Sequence, residues 1–78
     1  MITQQQKSLA YEIARTLNDM DSLSMHLSFV ERYQEAFLRK MLAKVMALPE
    51  EKIKRTRGAL YTHLVKQNGN QNTFDSRD

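Results

Sequence analysis

Helix-breaking residues are almost absent from this chain: its 78 residues include one proline and two glycines. Nowhere do β-branched residues alternate with polar ones over the length of a strand. A backbone with so little punctuation and no period-two pattern folds as helices joined by short turns. The expected class is therefore all-α, a small bundle of four helices, or of five if Gly58 interrupts the last, with antiparallel neighbours. A chain of this length makes one domain and buries only about 60% of the surface its unfolded form exposes. It has no cysteine and two well-separated histidines, so neither disulfides nor structural zinc can reinforce the core. Helix packing has to supply the stability.

A first helix is expected from Thr3, whose hydroxyl can cap freed amides while Gln6 reaches back three residues later, the spacing of a capping box. Leu9, Ile13 and Leu17, with Ala10 and Ala14 beside them, form its apolar stripe. It should end at Asn18-Asp19, where short polar side chains compete with the backbone. Asp19 or Asp21 then caps a second helix that turns Leu23, Leu27 and Val30 inward, with Met25, His26 and Phe29 on its flanks. Continued to Ala47, that helix would be about 39 Å long at 1.5 Å per residue, too long for so small a domain. A break is placed near Tyr33, before the series Phe37, Leu38, Met41, Leu42, Val45 and Met46.

Leu48-Pro49-Glu50-Glu51 reads as the start of the last helix, since proline presets φ and the carboxylates face the positive end of the dipole. Ile53, Leu60, Tyr61, Leu64 and Val65 are expected inside, Gly58 lies in mid-helix as a kink, close crossing or break, and Asn68-Gly69 supplies a left-handed stop. The predicted domain covers 1–69. The tail 70–78 lacks apolar periodicity and is expected to be disordered.

Charge is unevenly placed. The formal net charge is +3, yet the stretch from Arg39 to Arg57 holds seven basic residues against Glu50 and Glu51, a local +5 that leaves the rest of the chain at −2. Lys52, Lys54, Arg55 and Arg57 fall within six positions and are followed by the apolar Ala59, Leu60 and Tyr61. A local excess of this kind attracts phosphates. The expected function is non-enzymatic binding of nucleic acid, DNA ahead of RNA, through these four side chains with support from Arg39, Lys40 and Lys44. Tyr61 or His63 would stack on an exposed base.

Set on a two-helix frame, Arg39 to Gly58 places Ala43 where the helices touch, Ala47 at the turn and Ile53 at the buried site of the second helix. Leu42, Met46 and Leu48 occupy the remaining apolar positions. The segment LAKVMALPEEKIKRTRGAL thus resembles the helix-turn-helix family over about a quarter of the chain, with Ala47 and Thr56 standing where that family usually carries glycine and an aliphatic residue. The resemblance implies a recognition helix from Pro49 to Arg57 in a DNA major groove. Lys54 and Arg55 would face bases or phosphates, while Lys52 and Arg57 would hold the backbone. The small, glutamine-rich, basic character also resembles accessory proteins of plasmids and phages, which implies an accessory or regulatory role in a mobile element.

Other functions lack their residues. There is no serine elbow, no glycine-rich phosphate loop and no cysteine nucleophile, so no enzyme and no cofactor are expected. His26 and His63 have no companion at ligand spacing. Asp19-Met20-Asp21 opens like a calcium loop, but Leu23 and Ser24 stand where an oxygen ligand and a glycine are needed, which leaves helix capping as its role. The N-terminus is polar and no apolar run nears the ~20 residues of a membrane span, so a soluble cytoplasmic protein is expected. The competing class is a protein-interaction module that docks on an acidic protein surface, or on a second copy as a homodimer, with Met20, Met25, Met41 and Met46 available as an adaptable seam.

Overall fold

The computed structural model describes residues 2–69 of the chain. Among them are four α-helices, α1 (Gln4–Thr16), α2 (Leu23–Arg32), α3 (Glu35–Ala47) and α4 (Arg57–Asn68). Single 3₁₀ turns, Met20–Ser22 and Glu50–Lys52, stand before α2 and between α3 and α4. The protein is a small all-α bundle. Helix α1 packs chiefly on α2 and α3 on α4, with α1 also touching α3. The tail expected to be disordered, 70–78, lies outside the described residues.

Helix α1 starts as its local chemistry dictates. The Thr3 hydroxyl accepts from the Gln6 N–H at 3.0 Å and the Gln6 side-chain oxygen accepts from the Thr3 N–H at 2.8 Å. The Gln6 amide also donates to the Val30 carbonyl at 3.0 Å, which ties this cap to α2. The helix ends where expected, by a Schellman arrangement. Asn18 adopts φ 54°, its N–H donates to Arg15 O at 3.0 Å, and the Asp19 N–H donates to Ala14 O at 2.7 Å. Asparagine tolerates this left-handed conformation better than most non-glycine residues, because its short side chain bonds locally.

Helix α2 presents a different face from the one anticipated. His26, Phe29, Val30 and Tyr33 are buried, whereas Leu23 and Leu27 are half-buried. The buried set follows i, i+3, i+4, i+7 spacing, so the helix is rotated toward its histidine. Asp19 and Asp21 do not cap it through their side chains. The Asp19 carboxylate instead pairs with His26 Nε2 at 3.0 Å. That bond satisfies one nitrogen of an imidazole that is 1% exposed, where an unbonded polar ring would cost stability.

The break at Tyr33 is present: its backbone is extended (φ −116°, ψ 153°) and separates α2 from α3. The ring fills the corner, 5.6 Å from both Phe29 and Phe37, within the range that aromatic pairs prefer. Phe37, Leu38, Met41 and Val45 form the buried face of α3, while Leu42 is half-buried and Met46 is exposed. Tyr61 and Val65 close the core from α4. Gly69 ends α4 in a right-handed conformation (φ −83°), not the left-handed one expected. Glycine is required there for a different reason, since a Cβ would overlap the Tyr33 ring.

Candidate nucleic-acid interface

The segment after α3 is not the expected recognition helix. Leu48 and Pro49 are extended (ψ 138° and 154°), Glu50–Lys52 make one 3₁₀ turn closed by Lys52 N–H to Pro49 O and Ile53 N–H to Glu50 O at 2.9 Å each, and Ile53 is extended again. Helix α4 begins only at Arg57, capped by the Thr56 hydroxyl, which accepts from the Ala59 N–H at 3.0 Å. Pro49 to Thr56 is thus an irregular connection. Ala43, placed at the helix contact by the helix-turn-helix frame, is exposed. Both features remove the basis for a helix in a major groove.

Gly58 is not in mid-helix but in the first turn of α4, and it marks a close approach. A Cβ there would lie 2.7 Å from Asp19 Cγ and Oδ2. The Asp19 carboxylate therefore sits against the positive end of the α4 dipole, a favourable placement. On the flank, Arg57 Nη1 donates to the Val45 carbonyl at 2.6 Å and satisfies an acceptor in the last turn of α3. The start of α4 is held from both sides.

Lys52, Lys54 and Arg55, all exposed, line a groove of about 360 Å³ together with Ala59, Leu60 and His63 of α4 and the Thr56 cap. Positions 56, 59, 60 and 63 follow one helix face. The connection supplies cations and the helix supplies apolar surface and an imidazole. Among the described residues the ion pairs are Asp19–His26, Glu12–Arg39 and Glu35–Arg39. Lys52, Lys54 and Arg55 take part in none of them, and neither do Lys40 and Lys44, which are exposed on α3 outside the groove lining. Glu50 shares an adjoining hollow with Arg55 and Arg57 and moderates the field on that side.

Three of the expected ligand-binding residues are committed elsewhere. The Arg39 guanidinium grips Glu12 with two bonds of 3.0 and 3.1 Å and Glu35 with a third of 2.8 Å. These bonds pull the Glu12 carboxyl below its usual range, first through hydrogen bonding to Arg39 and then through its charge, and they raise the guanidinium in turn. Arg57 is spent on Val45. Tyr61 is fully buried, 0% exposed, 5.6 Å from the His26 ring, so it cannot stack on a base. Burial pushes its phenol well above the ordinary range. Thr56, Ala59 and Leu60 are the groove residues that sequence reasoning did not assign to the site. Their signal was the Thr56 hydroxyl immediately before the apolar series, which starts the helix there and sets which face 59, 60 and 63 share.

No protein-family model, curated protein or solved structure matches the chain. Among the described residues no helix is long and apolar enough to cross a membrane.

Proposed function

We propose that the protein is a non-enzymatic nucleic-acid-binding module whose Lys52, Lys54 and Arg55 hold the phosphodiester backbone, with Lys40 and Lys44 adding to the attractive field. The observation that carries this reading is the convergence of three exposed cations on one groove without a carboxylate partner among the described residues. A cation already paired inside the protein releases no counterion from a polyanion; these three remain available to do so. Arg39, neutralised by Glu12 and Glu35, and the buried Tyr61 are not part of the binding set, while Arg57 is held on the Val45 carbonyl and contributes its charge to the field only.

The test is fluorescence anisotropy of labelled single-stranded DNA, duplex DNA and RNA across a salt series. With about three phosphates engaged, the logarithm of affinity should fall against log salt with a slope of roughly −2 to −3. Absence of binding to all three polymers at about 50 mM salt refutes the reading. Co-purification of a partner that survives nuclease treatment, with no polymer binding, assigns the groove to an acidic protein surface instead.

A further inference from the structure

Resting on the nucleic-acid reading, we infer that the groove takes one unpaired nucleotide, so that the ligand is single-stranded DNA and not a duplex. Three features of the lining converge on this. First, it is concave: about 360 Å³ lies between the connection and α4, at the small end of the ~300–1,000 Å³ that ligand clefts span. A hollow of this size admits a base with its sugar, whereas reading a duplex groove needs a protruding helix or ribbon, and Pro49 to Thr56 forms neither.

Second, the lining is amphipathic in the way a nucleotide is. Lys52, Lys54 and Arg55 come from the connection, while Ala59, Leu60 and His63 come from one face of α4. Duplex DNA presents phosphates to such a surface but keeps its base faces stacked on one another. An unpaired nucleotide offers both parts, a phosphate for the cations and a base face for Leu60 and the exposed His63 ring. Phosphate binding alone would leave the half-buried Leu60 unused.

Third, the lining contains no carboxylate or carboxamide, and the Thr56 hydroxyl already accepts a bond from the helix. The side-chain acceptors left for a ribose 2′-hydroxyl, the group by which RNA is distinguished, are the His63 imidazole and the second lone pair of the Thr56 hydroxyl. The phosphate and base contacts of the groove need no 2′-hydroxyl, so DNA is a sufficient occupant and the one assigned.

The experiment compares the intact chain and His63→Ala on labelled oligothymidylate of about 15 nucleotides, an abasic strand of equal length, a duplex and an oligouridylate, all at low salt. His63 is exposed and outside the core, so its truncation leaves folding intact, which helicity by circular dichroism verifies. The expected result is oligothymidylate binding at least about tenfold tighter than duplex or abasic strand, with a loss of about fivefold or more in His63→Ala. Equal affinity for abasic strand or duplex, or no change in His63→Ala, overturns the inference while leaving phosphate binding in place. Oligouridylate bound more than about tenfold tighter overturns the DNA assignment. Failure of every strand to bind removes the nucleic-acid reading itself.

Discussion

Arg57→Met separates the two jobs that a run of basic residues conflates. In the structure Arg57 is half-buried and donates to the Val45 carbonyl at 2.6 Å. A hydrogen bond from a charged donor contributes about 1.5–3 kcal/mol when well shielded, and partial exposure lowers this to about 1–2 kcal/mol. The Val45 carbonyl keeps a weaker bond from the Leu48 N–H at 3.3 Å, so truncation leaves no orphaned acceptor and no further penalty. Methionine retains the aliphatic stem, so lost packing contributes little. For a domain of this size, about 1–2 kcal/mol corresponds to a fall in Tm of roughly 5–15 °C. Arg55→Met, one exposed side chain away, should change stability by no more than about 0.5 kcal/mol and should flatten the salt dependence of DNA binding by about one unit. Thermal melts followed by circular dichroism and salt-titrated anisotropy measure both. Arg57→Met as stable as the parent, or Arg55→Met losing stability without losing affinity, would refute the division of roles.

Two further outcomes follow from buried and paired groups. The Tyr61 hydroxyl is buried without a hydrogen-bond partner, so Tyr61→Phe should stabilise by about 1 kcal/mol and leave DNA affinity unchanged. Because burial raises the Tyr61 pKa in the folded state, its contribution is present below the unfolded value near about 10 and lost as pH rises beyond it. Tyr61→Phe should therefore resist alkaline unfolding better than the parent, and equal sensitivity in urea titrations would count against a sealed phenol. Glu12 has the opposite sign. Arg39 depresses its folded pKa, so its contribution is present above the unfolded value and lost as pH falls through and below about 4.3. Between about pH 6 and about pH 3 the parent should lose more stability than Glu12→Gln, and this difference should shrink in high salt because the pair is exposed; equal losses in the two proteins would sink that account.

What could be read from the chain was what depends on near neighbours. The Thr3–Gln6 box and the end at Asn18-Asp19 involve groups a few residues apart, and the break at Tyr33 followed from the length a single helix would have needed. The burial of His26 was not legible because the partners that permit it lie beyond its own helix: Asp19 is seven residues back and the Tyr61 ring comes from α4. Pro49-Glu50-Glu51 gave a sound local start signal, and one 3₁₀ turn does form there. The helix did not propagate because the Thr56 cap competes for its beginning and Gly58 must meet Asp19, a contact no local pattern encodes. Likewise the basic run contains the three cations that line the groove, Lys52, Lys54 and Arg55, but that Arg39 and Arg57 hold groups of the protein itself emerges only with Glu12, Glu35 and the Val45 carbonyl beside them.

The division between anchoring and free cations bears on how selective the proposed site can be. One wall of the groove, α4, is anchored for reasons unconnected with binding: Arg57 clamps it to the end of α3, Gly58 seats it on Asp19, and Tyr61 and Val65 bury its opposite face. The cations on the groove's other side are long lysine and arginine side chains on an irregular connection, with no ion pair among the described residues to orient them. A preorganised backbone bearing unanchored ammonium groups positions charge within a few ångströms but does not impose the bidentate geometry that distinguishes one base edge from another. Such a site grips the common features of every nucleotide, the phosphate and the flat face of the base, and its affinities for strands of different sequence should accordingly differ far less than its affinities at different salt concentrations.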